Sequence, residues 1–182
     1  VNPNATVKVV WTNTWYDPQV EKDAAIGLLK DGCDVIAQHQ DTAGPQIAAQ
    51  DAGKYSVGYN SDMMSFAPKA NLTSAIWNWK VYYEPAIRSV MDGTFVTSSF
   101  FEGLDSGVVA MAPINKDLVK DTSIQTKVDA AEAKIKGGYN IFTGPIKDNA
   151  GNIVIASGHS VTDKELLSMM YLVEGVEGTI PK

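Results

Sequence analysis

Only one cysteine, Cys33, occurs in the chain, so no internal disulfide can form. That scarcity fits a reducing compartment, and equally an exported bacterial protein built without disulfides. Histidine is almost as rare: His39 and His159 stand far apart, and Cys33 has no partner. A metal site needs clustered His, Cys or carboxylate ligands, so no metal is expected. Cations are also in short supply, 15 Lys and Arg against 21 Asp and Glu, for a net charge of −6. Phosphate contacts need clustered Lys and Arg, which argues against nucleic acid as a partner. No apolar run approaches the roughly 20 residues of a membrane span. The glycine loops that cradle phosphates, G-x-x-x-x-G-K-S/T and G-x-G-x-x-G after a strand, are absent. So is the G-x-S-x-G elbow of hydrolases. No cofactor is expected, and no nucleophile–base arrangement is visible.

What remains is an ordinary folded composition, 45% apolar and 20% charged over 182 residues, enough for one domain or one and a fraction. The opening Val1-Asn2-Pro3-Asn4 reads as a linker, so the chain is expected to be a fragment or processed piece whose N-terminal part, with any export signal, lies elsewhere. Val7–Trp11 reads as a buried strand. Asp17-Pro18 then opens a helix that Gly32 ends. Val35–Ala37 is a second strand, Pro45 starts a second helix that stops at Gly53, and Tyr55–Tyr59 is a third strand. This is β-α-β-α-β with short connections, for which parallel strands are the natural solution. Leu72–Ile76 reads as another strand, followed by a helix from about Tyr83 to Met91. Phe95–Phe101 and Gly107–Ala112 are expected as strands. A long helix with an apolar stripe at Ile124, Val128, Ala131 and Ile135 stops at Gly137-Gly138. Tyr139–Pro145 and Ile153–Ser157 read as a hairpin, Thr162-Asp163-Lys164-Glu165 as a capping box, and Glu174–Lys182 as a surface tail.

In open α/β sheets ligands bind outside the carboxyl ends of the strands. Topology alone therefore gathers Trp15, Asp17, His39, Asp41 and Asp62 at one edge, with Trp77 and Trp79 just past the Leu72–Ile76 strand. Each has two readings. Trp15 is a loop anchor or a surface on which a ligand stacks. Asp17 is an N-cap. His39 and Asp41 are a solvated loop pair or ligand contacts. Asp62 caps a turn or binds through its carboxylate. Of Trp77 and Trp79, one is expected in the core and the other facing the crevice.

At this point the residues look familiar. Trp15-Tyr16-Asp17-Pro18, Asp34-Val35-Ile36-Ala37-Gln38-His39, Gly58-Tyr59-Asn60-Ser61-Asp62 and Leu72-Thr73-Ser74 resemble the basic membrane protein (BMP) family of ABC-transporter substrate-binding proteins. Phe142-Thr143-Gly144-Pro145-Ile146-Lys147 with Gly151, and Val173-Glu174-Gly175-Val176, agree with it. That family includes the purine-nucleoside receptor lipoproteins. The resemblance implies an α/β chain, a parallel-sheet, Rossmann-like lobe of a type I periplasmic-binding-protein fold with a C-terminal hairpin. It implies that residues 1–76 and 114–182 form the second (C-terminal) lobe, while 77–113 crosses back to a first lobe outside this sequence.

The resemblance also implies roles. Trp15 matches an aromatic that stacks on a purine, and Asp62 a carboxylate that accepts hydrogen bonds from the ligand. Trp77 stands where the nucleoside receptors carry a lysine. Losing that cation, and filling the ribose space with an indole, favours a free base such as adenine over a nucleoside. With His39 and Asp41 from the strand-end topology, the expected ligand set is Trp15, Asp62, Trp77, Asp41 and His39. The implied function is non-catalytic: an extracytoplasmic or periplasmic receptor, lipid-anchored or free, that hands a purine to an ABC permease. A nucleoside receptor or a sensor domain are the alternatives. A nucleoside or sugar hydrolase using Asp41 and Asp62 is the enzymatic one. Without its first lobe, the fragment is expected to expose apolar surface and pair with itself.

Overall fold

The computed structural model describes residues 2–181. Val1 and Lys182, at the ends of the expected linker and tail, lie outside the described residues. The chain divides into two units: Thr14–Gly137, and the residues up to Asn13 taken with those from Gly138 onward.

In the Thr14–Gly137 unit, local sequence sets the helices. Asp17 is extended, and its carboxylate accepts from the Val20 N–H at 3.1 Å, opening α1 (Pro18–Lys30). α2 (Gly44–Asp51) has proline in its first turn. Gly53 follows it with φ +65°, a left-handed geometry that glycine adopts without strain. The sheet runs β2 (Val35–Ala37), β3 (Tyr55–Asn60), β4 (Asn71–Trp77), β5 (Val109–Met111) in that order. β2, β3 and β4 are parallel, and β5 closes the edge antiparallel. Ile36 on β2 packs with Ala25 of α1, Ala48 and Ala49 of α2, and Ala67 and Ala70 of the β3–β4 connection. Cys33 is partly buried against the same cluster, as a small apolar residue.

β4 buries polar residues, and each has a partner. The Ser74 hydroxyl accepts from Met63 N–H (3.1 Å) and from the Asn71 amide (3.2 Å). The Thr73 hydroxyl donates to the Ala112 carbonyl at 2.7 Å. These bonds pin the β3–β4 connection and the edge strand to β4, which is the physical use of the Leu72-Thr73-Ser74 run.

The other helices are α3 (Lys80–Met91) and α4 (Thr122–Lys136). Neither has a buried residue. The apolar stripe of α4 exists, but Val128 and Ile135 are only half-buried and Ile124 and Ala131 are exposed. Phe95–Phe101 is not a strand; the whole segment is irregular and exposed, with Phe95, Val96 and Phe101 among its open apolar residues. β-propensity selects a strand only where a partner edge exists.

In the other unit, β1 (Val7–Lys8) pairs in parallel with β8 (Val176–Glu177). This corrects two expectations. The first apolar run belongs to a separate two-stranded sheet rather than to the parallel sheet of β2 and β3. The Gly-rich ending is no mere tail, because Val7 N–H donates to Gly175 and Val9 N–H to Glu177. The hairpin forms between β6 (Ile146–Lys147) and β7 (Ile153–Ile155), later than the Tyr139–Pro145 arm expected for it. Residues 139–145 form no named strand; they cross residues 158–161 through an isolated bridge, Thr143 to Ser160, and hydrogen bonds such as Gly144 N–H to the His159 carbonyl.

Thr162 opens the short α5 (Asp163–Leu167) with a full capping box. The Thr162 N–H first, then its hydroxyl, then the neighbouring His159 hold the Glu165 carboxyl down from 4.5 to about 2. A carboxyl depressed on folding lends stability above its unfolded value and loses it as pH falls through the folded one. The α5 cap is therefore expected to hold at pH 5 and above, and to release as pH falls from 4.5 to about 2. Amide exchange at Thr162 and Glu165 across that range reads it; unchanged protection down to the lower limit would contradict it.

Candidate functional site

The parallel strands bring the ends of β2, β3 and β4 to one edge, where aromatic rings follow one another in a row. Trp15, 73% exposed, lies 6.3 Å from the His39 ring. His39 lies 4.3 Å from Tyr59, tilted by 33°. Tyr59 meets Trp77 edge-on at 6.0 Å, and Trp77 stacks on Trp79 at 5.5 Å. Trp79 then meets Tyr83 on α3 at 6.1 Å. The sequence reading put one of Trp77 and Trp79 in the core. Instead both join the row: Trp77 ends β4 half-buried, and Trp79, already helical at the head of α3 with φ −60° and ψ −18°, stacks on it. Trp77 is the last residue of β4 rather than a residue beyond it, because it pairs with Val109 of β5.

A polar relay runs beside the rings. The Trp77 indole N–H donates to Asn60 Oδ1 at 2.8 Å. Asn60 Nδ2 donates to Asp41 Oδ1 at 2.7 Å. Asn60 has φ +66°, in the left-handed region, where asparagine is among the few tolerated side chains. Neither Tyr59 nor Asn60 stood out from sequence as a site residue. The available signal was an asparagine at a strand end, the type that accepts such a backbone.

The loops carrying Trp15 and Asp41 are held from below. The Asp41 N–H donates to the Trp15 carbonyl at 3.3 Å. Glu21, 1% exposed, is the clasp. Its carboxylate accepts from Asp17 N–H (2.9 Å), from Thr42 N–H (3.1 Å) and from the Thr42 hydroxyl. The Gln38 amide donates to the Gln40 and Thr42 carbonyls and to the Met63 sulfur, tying the same loop to the β3–β4 connection. Gly58 leaves no room beneath: a Cβ there would sit 2.4 Å from Ser74 Oγ and 2.9 Å from Met63 Cβ.

Of the expected site residues, Trp15, His39 and Trp77 are therefore gathered in one row, and Asp41 is joined to it through Asn60. Asp62 stands apart. Its exposed carboxylate accepts from Met64 N–H at 2.9 Å, a local turn, and no hydrogen bond joins it to the other four among the described residues. Asp17 serves as the N-cap. Asp41 and Asp62 are thus engaged by different neighbours. No group of three His, Cys, Asp or Glu side chains able to hold a metal stands among the described residues. None of the helices there is long and apolar enough to cross a membrane. The arrangement offers a face for a flat ring, with a carboxylate acceptor at its side.

Residues 1–143 match the Bmp family, described as ABC transporter substrate-binding protein PnrA-like. A purine-binding protein of Brucella abortus is 40% identical over 185 residues, covering 100% of this chain and 51% of that protein. A putative ABC transporter glucose-binding protein of Haloferax volcanii is 34% identical, covering 100% of this chain and 44% of that protein. An ABC transporter solute-binding protein from Conexibacter woesei superposes with a TM-score of 0.55 at 26% identity, over 75% of this chain and 46% of that one. The chain spans about half the length of the curated relatives it matches. Its fold is α/β, with the mainly parallel sheet of the periplasmic-binding-protein kind, and the chain belongs to the Bmp family of ABC transporter substrate-binding proteins.

Proposed function

We propose that this chain forms one wall of an extracytoplasmic binding site for a purine, with a free base such as adenine favoured over a nucleoside, for delivery to an ABC permease without turnover. The observation that carries the reading is the row Trp15–His39–Tyr59–Trp77 beside Asp41. A purine stacks on such rings, each good aromatic contact contributing about 0.5–1.5 kcal/mol beyond area burial. Its N–H groups donate to Asp41 or Asp62, and charge-assisted bonds of this kind give selectivity. Trp77 takes the place of a cation that would read a ribose, and its only polar atom is already bonded to Asn60. The 40% identity to a protein named as purine-binding supports the same ligand class. In this reading the part of residues 77–113 outside β4 and β5 faces the remainder of a longer protein, which accounts for the exposed Tyr83, Ile87, Val90 and Phe101.

Thermal unfolding of the full protein against adenine, guanine, hypoxanthine, adenosine, guanosine and several sugars tests this. A ligand at 100 times its dissociation constant adds about 2.7 kcal/mol to stability. A rise with adenine and none with adenosine is the expected result. A larger rise with adenosine would overturn the role given to Trp77. A second reading, a sugar ligand, rests on the relative named as glucose-binding. A response to glucose alone would replace the purine.

A further inference from the structure

We propose that Asn60 is the residue that sets ligand selectivity at this site: one end of its amide locks the Trp77 indole, and the other fixes Asp41 through Oδ1, leaving Oδ2 as the oxygen without a donor. The ligand class rests on the purine reading above, whereas the positioning rests on geometry alone.

An indole N–H donates and cannot accept. The 2.8 Å contact from Trp77 therefore identifies the Asn60 atom facing it as Oδ1. The amide NH2 must then face Asp41, at 2.7 Å from its Oδ1. A flipped amide would set the Trp77 N–H against an NH2 and two oxygens against each other, losing both bonds. Asp41 thus enters the relay as an acceptor. Its Oδ1 is engaged, and its Oδ2 has no donor among the described residues.

The backbone narrows the choice of residue further. At φ +66° a β-branched or bulky side chain is strained, and glycine supplies no amide. Aspartate tolerates the backbone and keeps an acceptor for Trp77, but it cannot donate to Asp41. Asparagine meets all three demands: a left-handed backbone, an acceptor toward β4 and a donor toward the loop after β2.

The consequence is chemical. A fully free carboxylate presents two oxygens side by side and pairs with two adjacent donors, such as the N1–H and N2–H2 edge of guanine. Asp41, oriented by the Asn60 amide on Oδ1, offers Oδ2 as its oxygen without a donor, which suits a base with one amino donor, as in adenine. Asn60 touches neither ligand nor chemistry in this scheme; it acts through Trp77 and Asp41.

Two variants test this in the full protein, Asn60→Gly and Asn60→Asp, both compatible with the backbone. The Trp77 indole N–H resonance reports the first bond, and titration with adenine and with guanine reports selectivity. In Asn60→Gly the indole signal should move to the position of an unbonded indole. Adenine affinity should fall about tenfold and the preference for adenine over guanine should shrink. In Asn60→Asp the indole signal should stay while adenine affinity falls, because a carboxylate now faces Asp41. An unmoved signal in Asn60→Gly would overturn the positioning role. A moved signal with an unchanged adenine-to-guanine ratio would overturn the selectivity role and leave the purine reading intact. A wild-type protein that responds to no purine would overturn the purine reading and the selectivity with it, and the indole signal would then decide the positioning by itself.

Discussion

Glu21→Ala is expected to destabilise the Thr14–Gly137 unit by about 3 kcal/mol and to loosen the ring row above it. Glu21 sits one turn into α1 and is 1% exposed. Its carboxylate serves three donors, the Asp17 N–H and both the N–H and hydroxyl of Thr42. Removing it leaves those donors without their acceptor, and an unsatisfied buried donor costs about 1–3 kcal/mol. The three costs do not add fully, since the half-buried Asp17 N–H can reach water. Glu21→Gln should fall between: its carbonyl can serve one side, while its NH2 opposes the N–H on the other. The functional loss follows from the connections. Asp17 lies two residues from Trp15, and Thr42 adjoins Asp41, so one carboxylate holds the loops that carry both. Chemical unfolding measures the first effect, and ligand titration at a temperature where the variant is folded measures the second. A Glu21→Ala protein of wild-type stability would show that Glu21 is not the clasp. Thr42→Val isolates the hydroxyl and should lose about 1 kcal/mol.

Gly144→Ala is expected to destabilise the other unit by about 3 kcal/mol or more. A Cβ at this position would lie 2.0 Å from the Ala156 carbonyl oxygen and 2.7 Å from that of Ile155. Both obstacles are backbone, so no side-chain rotation relieves them. The residue is also tied on both sides: its N–H donates to His159 at 2.9 Å, and its carbonyl accepts from Gly158 at 3.2 Å. Making room would break the crossing of residues 143–144 with 156–160. The measurement is amide exchange at Gly144, Gly158 and Val161, together with the melting temperature. Retained protection would mean that the two strands separate at little cost, against the close approach seen here. The contrast with Gly151 is useful. That glycine has φ +89° but open space around it, so its alanine variant should suffer from backbone strain alone and lose less.

Much of the molecule was legible because its signals are short-range. Asp17-Pro18 capped α1 as read, Gly32 and Gly53 ended their helices, and Thr162 with Glu165 formed the capping box. Each depends on residues within four positions of one another. The β-branched runs at Val35–Ala37 and Tyr55–Tyr59 became parallel neighbours because short helical connections leave few other arrangements. The same topology argument brought His39, Asp41 and Trp77 to one edge, since the carboxyl end of a parallel strand is fixed once its order is known; Trp15 reaches the row from the loop before α1 and not from a strand of that sheet.

Partner choice was not legible. Val7–Lys8 reads as a strand by composition, yet nothing local says that its neighbour is Val176–Glu177, about 170 residues away, rather than β2. Phe95–Phe101 carries the composition of a strand but found no edge to pair with. Glu21 is by position a first-turn acid of α1, and only packing brings Thr42 onto it. Asn60 looked like a turn residue until β4 brought Trp77 to one end of its amide and the loop after β2 brought Asp41 to the other. The sequence by itself determined the helices and the parallel strands β2, β3 and β4 with their common carboxyl edge, because those follow from local sterics, hydrogen bonding and short connections. Tertiary structure decided which strands pair and which polar atoms meet, because each such contact joins groups far apart along the chain and depends on how the whole sheet closes.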